Sequence, residues 1–394
     1  MKKIVSAVVA ALTLGALLSA PVFAFDPLRA TTVFTSLAAD TKLKNPSVIL
    51  IDASTGELLF ESNGNSMRKP ASTLKLLAGV SVAQYLDPKR RFQTSLALSD
   101  KENSVVIQGE MDPWATFNDK NAKRLGQTSL KQLAYNAHVE LENQAGTPIK
   151  KMTIYYNGIY DSEAKNMKTY LKTRKVTVTL KPVSALEAQN LTVEPVMNST
   201  SPTVHQMTHY FMQWSDNVLS DRLSRMAAKA AGFSGGTQGI ADVYARVLAS
   251  LGIDSSKLVV KDGSGLSHDN RVSAKLLGDL LLKIYKDPRF EAVIESLPDS
   301  GINGTLNERF IDTAPNAVGL VHAKTGTLNG TVTLAGYIES KDREYIFVVL
   351  ADRLSRTNSA AKIARDTLDK YLGKIALPIE IKVETGTVLS STTP

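Results

Sequence analysis

Three short polar clusters in this 394-residue chain hold the residue types that covalent catalysis by a serine requires. The first is Pro70-Ala71-Ser72-Thr73-Leu74-Lys75. A serine hydroxyl is a poor nucleophile at its ordinary pKa and needs an adjacent base. If Ser72 opens a helix, Lys75 stands three residues on, on the same face. A lysine kept from water can lose its proton near neutral pH and serve as that base. The helix N-terminus adds partial positive charge that favours a developing alkoxide. Alone the pattern is weak: Ser-x-x-Lys recurs at Ser66-Met67-Arg68-Lys69, and Ser72 reads equally well as a helix cap. Neighbouring residues separate the two serines. Lys69 precedes Pro70, which disfavours the helical region, whereas Ser72 begins an apolar stretch.

The second cluster is Ser215-Asp216-Asn217, the only Ser-x-Asn in the chain, which reads by itself as another helix cap. The third is Lys324-Thr325-Gly326-Thr327, just before the apolar run Thr331–Ile338. There a cation, two hydroxyls and a glycine that permits close backbone approach stand together. A strand edge of that kind can pair with an extended peptide and grip its terminal carboxylate; a simple turn is the plainer reading.

The elements that must position these clusters can be read from patterning. Residues 27–43 read as a helix and a polar loop. Two apolar runs around a Gly56 turn, 46–52 and 57–61, suggest a hairpin. Residues 72–86 read as a mostly buried helix. The middle third is different: β-like runs at 92–98, 104–108, 152–156 and 175–180 alternate with helical stretches near 127–139 and 162–172. Helical runs return at 203–231, 237–252 and 274–286, then a strand–turn–strand over 331–350 and a last helix at 359–373. The simplest assembly is α+β: one antiparallel sheet built from the first hairpin and the last strands, flanked by helices. The expected domains are 25–87 with 196–380, an inserted β-rich mixed domain at 88–195, and a Ser/Thr-rich mobile tail at 381–394.

Composition narrows the function classes. Residues 1–24 have a basic start, an apolar run and a small-x-small end at Val22-Phe23-Ala24, the pattern of a cleaved export signal. No later run is long enough to cross a bilayer, so no transmembrane segment is expected in the mature chain. With no cysteine, disulfides and thiol chemistry are excluded. His205 and His209 stand four apart without an HExxH frame, so no metal is expected and no other cofactor. The net charge is +8, with a basic concentration over 150–181 that reads as a solvated face or as a surface for an anionic envelope polymer. Aromatic residues do not punctuate it as a nucleic-acid platform requires.

Taken together and in order, Ser-x-x-Lys, Ser-Asp-Asn and Lys-Thr-Gly are the motif set of class A β-lactamases and penicillin-binding proteins. The chain resembles the low-molecular-mass class C penicillin-binding proteins, the D-alanyl-D-alanine carboxypeptidase/endopeptidase family of serine peptidases, over roughly 45–375. The 143-residue interval from Ser72 to Ser215 is similar to that family, which carries an insert there. Lys261-Asp262-Gly263-Ser264-Gly265-Leu266-Ser267 and Gly109-Glu110-Met111-Asp112-Pro113 resemble two further family segments. The insert is shorter than the family's, and Met111 stands where the family usually has glycine. The resemblance implies Ser72 as nucleophile and Lys75 as its base. It implies Ser215, with Lys324, as proton relay to the leaving amine, and Asn217 as a hold on the substrate amide and on Lys75. Thr325, Gly326 and Thr327 would bind substrate, with the Ser72 and Thr327 amides as oxyanion donors and Asp112 near the side chain of the stem. Asp262 and Ser264 would shape a loop. The implied substrates are peptidoglycan peptide stems, with β-lactams as covalent inhibitors, in the periplasm or at the cell wall. A β-lactamase and a catalytically inactive wall-binding homologue are the alternatives.

Overall fold

The computed structural model describes residues 27–341 and 343–378. The export signal at 1–24 and the tail at 381–394 lie outside the described residues. The chain runs α1 (Pro27–Ala39), β1 (Ser47–Asp52), β2 (Leu58–Ser62) and α2 (Lys75–Tyr85). The middle section runs β3 (Gln93–Ser99), β4 (Ser104–Gly109), α3 (Asp119–Leu125), α4 (Leu130–Ala145), β5 (Lys151–Asn157), α5 (Asp161–Thr173), β6 (Thr177–Pro182), α6 (Ala185–Leu191) and β7 (Thr192–Thr200). Then come α7 (Val204–Trp214), α8 (Asn217–Ala230), α9 (Thr237–Ser250), α10 (Ala274–Ile284), α11 (Glu291–Ile294), β8 (Val321–Leu328), β9 (Thr331–Ser340), β10 (Arg343–Ala351) and α12 (Asn358–Gly373).

The first sheet has the order β2-β1-β10-β9-β8, antiparallel throughout. It joins the first hairpin to the last strands, as the sequence implied. Its middle strands are apolar on both sides because both faces are covered. Ile49, Ile51, Ile346, Val348 and Leu350 pack under the helices around α2. Val48, Leu50, Phe347, Val349 and Leu334 pack under α1 and α12. The architecture is α+β, a helix-flanked antiparallel sheet with a second, mixed sheet beside it. That second sheet has the order β6-β5-β4-β3-β7, with β4, β5 and β6 parallel. The chain enters and leaves it at one place. Ser201 N donates to Phe92 O at 2.9 Å and Ser201 Oγ accepts from Phe92 N at 2.9 Å.

Several boundaries differ from expectation, with physical reasons. Ser72 does not open an α-helix: Ala71–Leu74 form a tight 3-10 turn and the α-helix begins at Lys75. The run at 203–231 breaks at Ser215, which adopts a left-handed conformation with φ 62°. The Lys-Thr-Gly cluster is a strand, β8, rather than a lead-in to one. β7 is a strand that the apolar patterning does not indicate; its Pro195 is tolerated because β7 is an edge.

Candidate active site

The site forms where the turn before α2, the α7–α8 junction and β8 meet. The turn places Ser72 Oγ 3.0 Å from Lys75 Nζ. The α7–α8 junction brings Asn217 Oδ1 to 2.7 Å from the same nitrogen, and the Ser264 carbonyl accepts from it at 2.7 Å. Lys75 is fully buried. Burial pushes its ammonium down to about 7, against the opposing pull of Asp262 and Asp216. A neutral amine has two N–H donors and one lone pair. Asn217 Oδ1 and Ser264 O take the two donors, so the lone pair is left for the Ser72 hydroxyl. This is the geometry of a general base.

The loop that offers the Ser264 carbonyl is wound around one carboxylate. Asp262 accepts from the amides of Ser264 at 2.7 Å, Gly265 at 2.6 Å and Ser267 at 2.6 Å. Burial alone would raise Asp262; these donors outweigh it and hold the carboxyl below its ordinary value. Gly265 then lets this loop pass the nucleophile turn. With φ 85°, any Cβ there would lie 1.8 Å from Ala71 O.

β8 closes the other side. Gly326 faces the turn, where a Cβ would stand 2.9 Å from Ser72 N and 2.2 Å from Thr333 Oγ1. Thr333 Oγ1 in turn donates to Pro70 O at 2.8 Å, tying β9 to the turn. Lys324 is fully buried, and burial together with nearby Lys75 pushes its ammonium well below the ordinary value. Backbone groups of Val321 and Ala323 on the outer side of β8 are engaged by residues 298–300: Ser300 N donates to Val321 O and Ala323 N to Pro298 O, both at 2.9 Å. By alternation the backbone groups of Thr325 and Thr327 point the same way; among the described residues no strand pairs with them there, and Thr325 O accepts from Lys324 Nζ at 3.2 Å. A cavity of about 430 Å³ there is lined by Ser72, Ser215, Asn217, Thr325, Gly326 and Thr327, among others. The arrangement supplies a nucleophile, a base, a second hydroxyl and outward-pointing amides, the parts of an acyl-transfer centre.

This geometry gives meaning to likeness with known proteins. The pattern of the D-Ala-D-Ala carboxypeptidase 3 (S13) family matches residues 31–154 and 158–375. The chain belongs to that family. It is accordingly a serine peptidase of the D-Ala-D-Ala carboxypeptidase kind. Carboxypeptidase DacB of Mycolicibacterium smegmatis is 27% identical over 377 residues, covering 83% of this chain and 81% of that protein. The D-alanyl-D-alanine carboxypeptidase of an Actinomadura species is 33% identical over 166 residues, 40% of this chain and 30% of that one. In fold the chain is similar to penicillin-binding protein 4 (dacB) of Haemophilus influenzae, with a TM-score of 0.64 and 18% identity over 85% of this chain and 97% of that one.

Eight of the nine residues expected to act in catalysis or substrate binding stand together: Ser72, Lys75, Ser215, Asn217, Lys324, Thr325, Gly326 and Thr327. Asp112 does not join them. It is buried between β4 and α3, where its Oδ1 accepts from Trp114 N at 2.9 Å, and burial raises its carboxyl. Met111 before it is left-handed, φ 62°, which explains why a glycine suits the position. Sequence reasoning missed the Ser264 carbonyl as a partner of Lys75. It also missed Thr305, whose Oγ1 lies 2.7 Å from Thr325 Oγ1, and the far wall of the cavity at Glu308, Arg309 and Arg365.

Proposed function

We propose that the chain hydrolyses the bond between two D-amino acids in peptidoglycan peptide stems through an acyl-enzyme on Ser72. As the Ser72 oxygen attacks the carbonyl carbon, its proton passes to Lys75 Nζ. The amides of Ser72 and Thr327 hold the oxyanion, a charge that exists only in the tetrahedral state, so their help is selective for it. On collapse the C–N bond breaks, and the proton held by Lys75 passes through Ser215, with Lys324 beside it, to the leaving amine, which returns Lys75 to its neutral form. Water then attacks the ester and Lys75 serves again as base. Thr325 and Thr327 bind the terminal carboxylate, and Asn217 holds the substrate amide while it orients Lys75. A β-lactam imitates the scissile amide and acylates Ser72.

The observation that carries this reading is the buried Lys75, 3.0 Å from Ser72 Oγ and 2.7 Å from Asn217 Oδ1, with its pKa near neutrality. The substrate class is carried over from the family and its carboxypeptidase relatives. Export to the periplasm or cell wall fits the leader pattern at 1–24 and such a substrate; no helix among the described residues is long and apolar enough to cross a membrane. Residues 88–195 are read as an inserted domain with the catalytic unit before and after it. Ser72→Ala should abolish labelling by a fluorescent penicillin and D-Ala release from a pentapeptide stem. Retained labelling would sink the assignment. Mass analysis of purified muropeptides then reports the leaving group: loss of one alanine marks carboxypeptidase action, and conversion of dimers to monomers marks endopeptidase action.

A further inference from the structure

The cavity beside Ser72 is much larger than a terminal alanine requires, and its far wall carries charge that the mechanism does not use. That wall is formed by Glu308 and Arg309, which follow the 3-10 turn at Gly304–Leu306, and by Arg365 on α12. The two guanidinium groups differ. Arg309 is spent on structure: it pairs with the buried carboxylate of Asp369, which also accepts from Phe310 N at 3.3 Å. Arg365 is half-buried and makes no ion pair among the described residues. Glu308, exposed in the same cavity, forms no salt bridge with it.

Strand geometry sets which groups of β8 face Arg365. Val321 and Ala323 point into the core under α1 and α12, so the alternate residues Thr325 and Thr327 project to that same side of the sheet. Lys324 and Gly326 project to the other side, towards Lys75 and Ser72. The two hydroxyls and Arg365 therefore share one side of the cavity.

A carboxylate arriving there needs a lasting positive charge. Neither lysine of the site supplies one, because both are buried and both are pushed towards the neutral form by burial. A guanidinium stays charged at any working pH and can grip a carboxylate with two parallel N–H donors. We propose that Arg365 is a specificity-determining residue that pairs with the carboxylate α to the leaving amine, alongside Thr325 and Thr327. This rests on the hydrolase reading above. It adds to that reading one residue, Arg365, and the cavity of about 430 Å³ leaves room beside it for amines bulkier than alanine.

The test compares two synthetic stems that differ only at the C-terminus, one ending in free D-alanine and one in D-alaninamide. Wild type should prefer the acid. Arg365→Ala should lower kcat/KM on the acid by roughly ten- to a hundredfold, the usual scale for losing a charge-assisted bond, and leave the amide within about twofold. Arg365→Lys should restore part of the loss on the acid. Equal losses on both stems, or none on the acid, would overturn the inference. Thermal unfolding of each variant shows whether an equal loss reflects damage to the fold. If wild type takes a penicillin label and cleaves the acid while Arg365→Ala matches it, the inference falls and the hydrolase reading stands. If wild type neither labels nor cleaves, both fall.

Discussion

On the proposed mechanism Lys75 can serve as a base for Ser72 only while it is uncharged, so its proton would set the pH range of the enzyme. Burial brings that proton off at about 7. Below that pH the amine is charged and the lone pair facing Ser72 is gone; above it the lone pair is present. The acylation rate with a fluorescent penicillin should therefore rise about tenfold per pH unit below 7 and level off above it. A midpoint nearer the ordinary lysine value would refute the lowering by burial, and a profile that does not turn over near 7 and persists in Lys75→Ala would show that another base acts. At this scale the candidate site was legible in part. Ser72, Lys75, Ser215, Asn217 and Lys324 could be picked out only as an ordered set of three clusters, none of which is decisive alone. The Ser264 carbonyl was not legible, since every residue has one and only the fold aims this one at Lys75. Nor was the left-handed backbone of Ala71, φ 48°, and Ser215, φ 62°, because neither is a glycine.

Elements hold the site by close approach, and the approach is tightest where the Asp262 loop crosses the nucleophile turn. Gly265 and Gly232 have nearly the same φ, 85° and 86°, but of the two only Gly265 has a neighbour in the way of a Cβ. Gly232→Ala should cost about 1 kcal/mol, the strain of a left-handed alanine. Gly265→Ala should cost more, and it should slow acylation at least roughly tenfold by pushing Ala71 and the adjoining Ser72 out of a geometry on which catalysis depends. Urea unfolding and acylation rates of the two variants check this; matching stabilities with unchanged acylation would refute it. The sequence disclosed the hairpin, the apolar α2 and the paired last strands, because two-sided burial writes long apolar runs. It hid β8, since a strand with a buried lysine and a glycine pressed on a turn lacks the usual alternation. It hid the 3-10 turn too, which differs from the start of an α-helix by hydrogen-bond spacing rather than composition.

At the scale of the molecule, one buried ion pair ties the second sheet to the catalytic helices. Arg222 on α8 pairs with Glu163 on α5 at 2.8 Å, donates to Pro113 O at 3.2 Å and lies 3.6 Å over the Tyr160 ring. Removing one partner strands the other's charge in a dry place. Arg222→Ala should cost about 3–5 kcal/mol, and the double variant Arg222→Ala/Glu163→Ala should cost less than the sum of the single ones. Urea unfolding measures both; a loss under about 1 kcal/mol for Arg222→Ala would show that the contact is no more than a surface pair. No spacing rule foretells a pair 59 residues apart, whereas the union of the first hairpin with the last strands could be read from apolar runs at both ends. The open edge of β8 has a consequence for the molecule in crowded surroundings. A bare strand edge invites pairing with any other bare edge, including that of a second copy, and long ones lead to aggregates. Here the 298–300 segment caps the strand as far as Ala323; among the described residues no backbone segment pairs with the outer side from Lys324 onward, where Thr325 O accepts only from Lys324 Nζ at 3.2 Å. So short an edge offers few pairing groups to a foreign sheet, while on the proposed mechanism it is long enough for a substrate a few residues long. By its length alone the capping segment separates a peptide to be cut from a strand that would glue two molecules together.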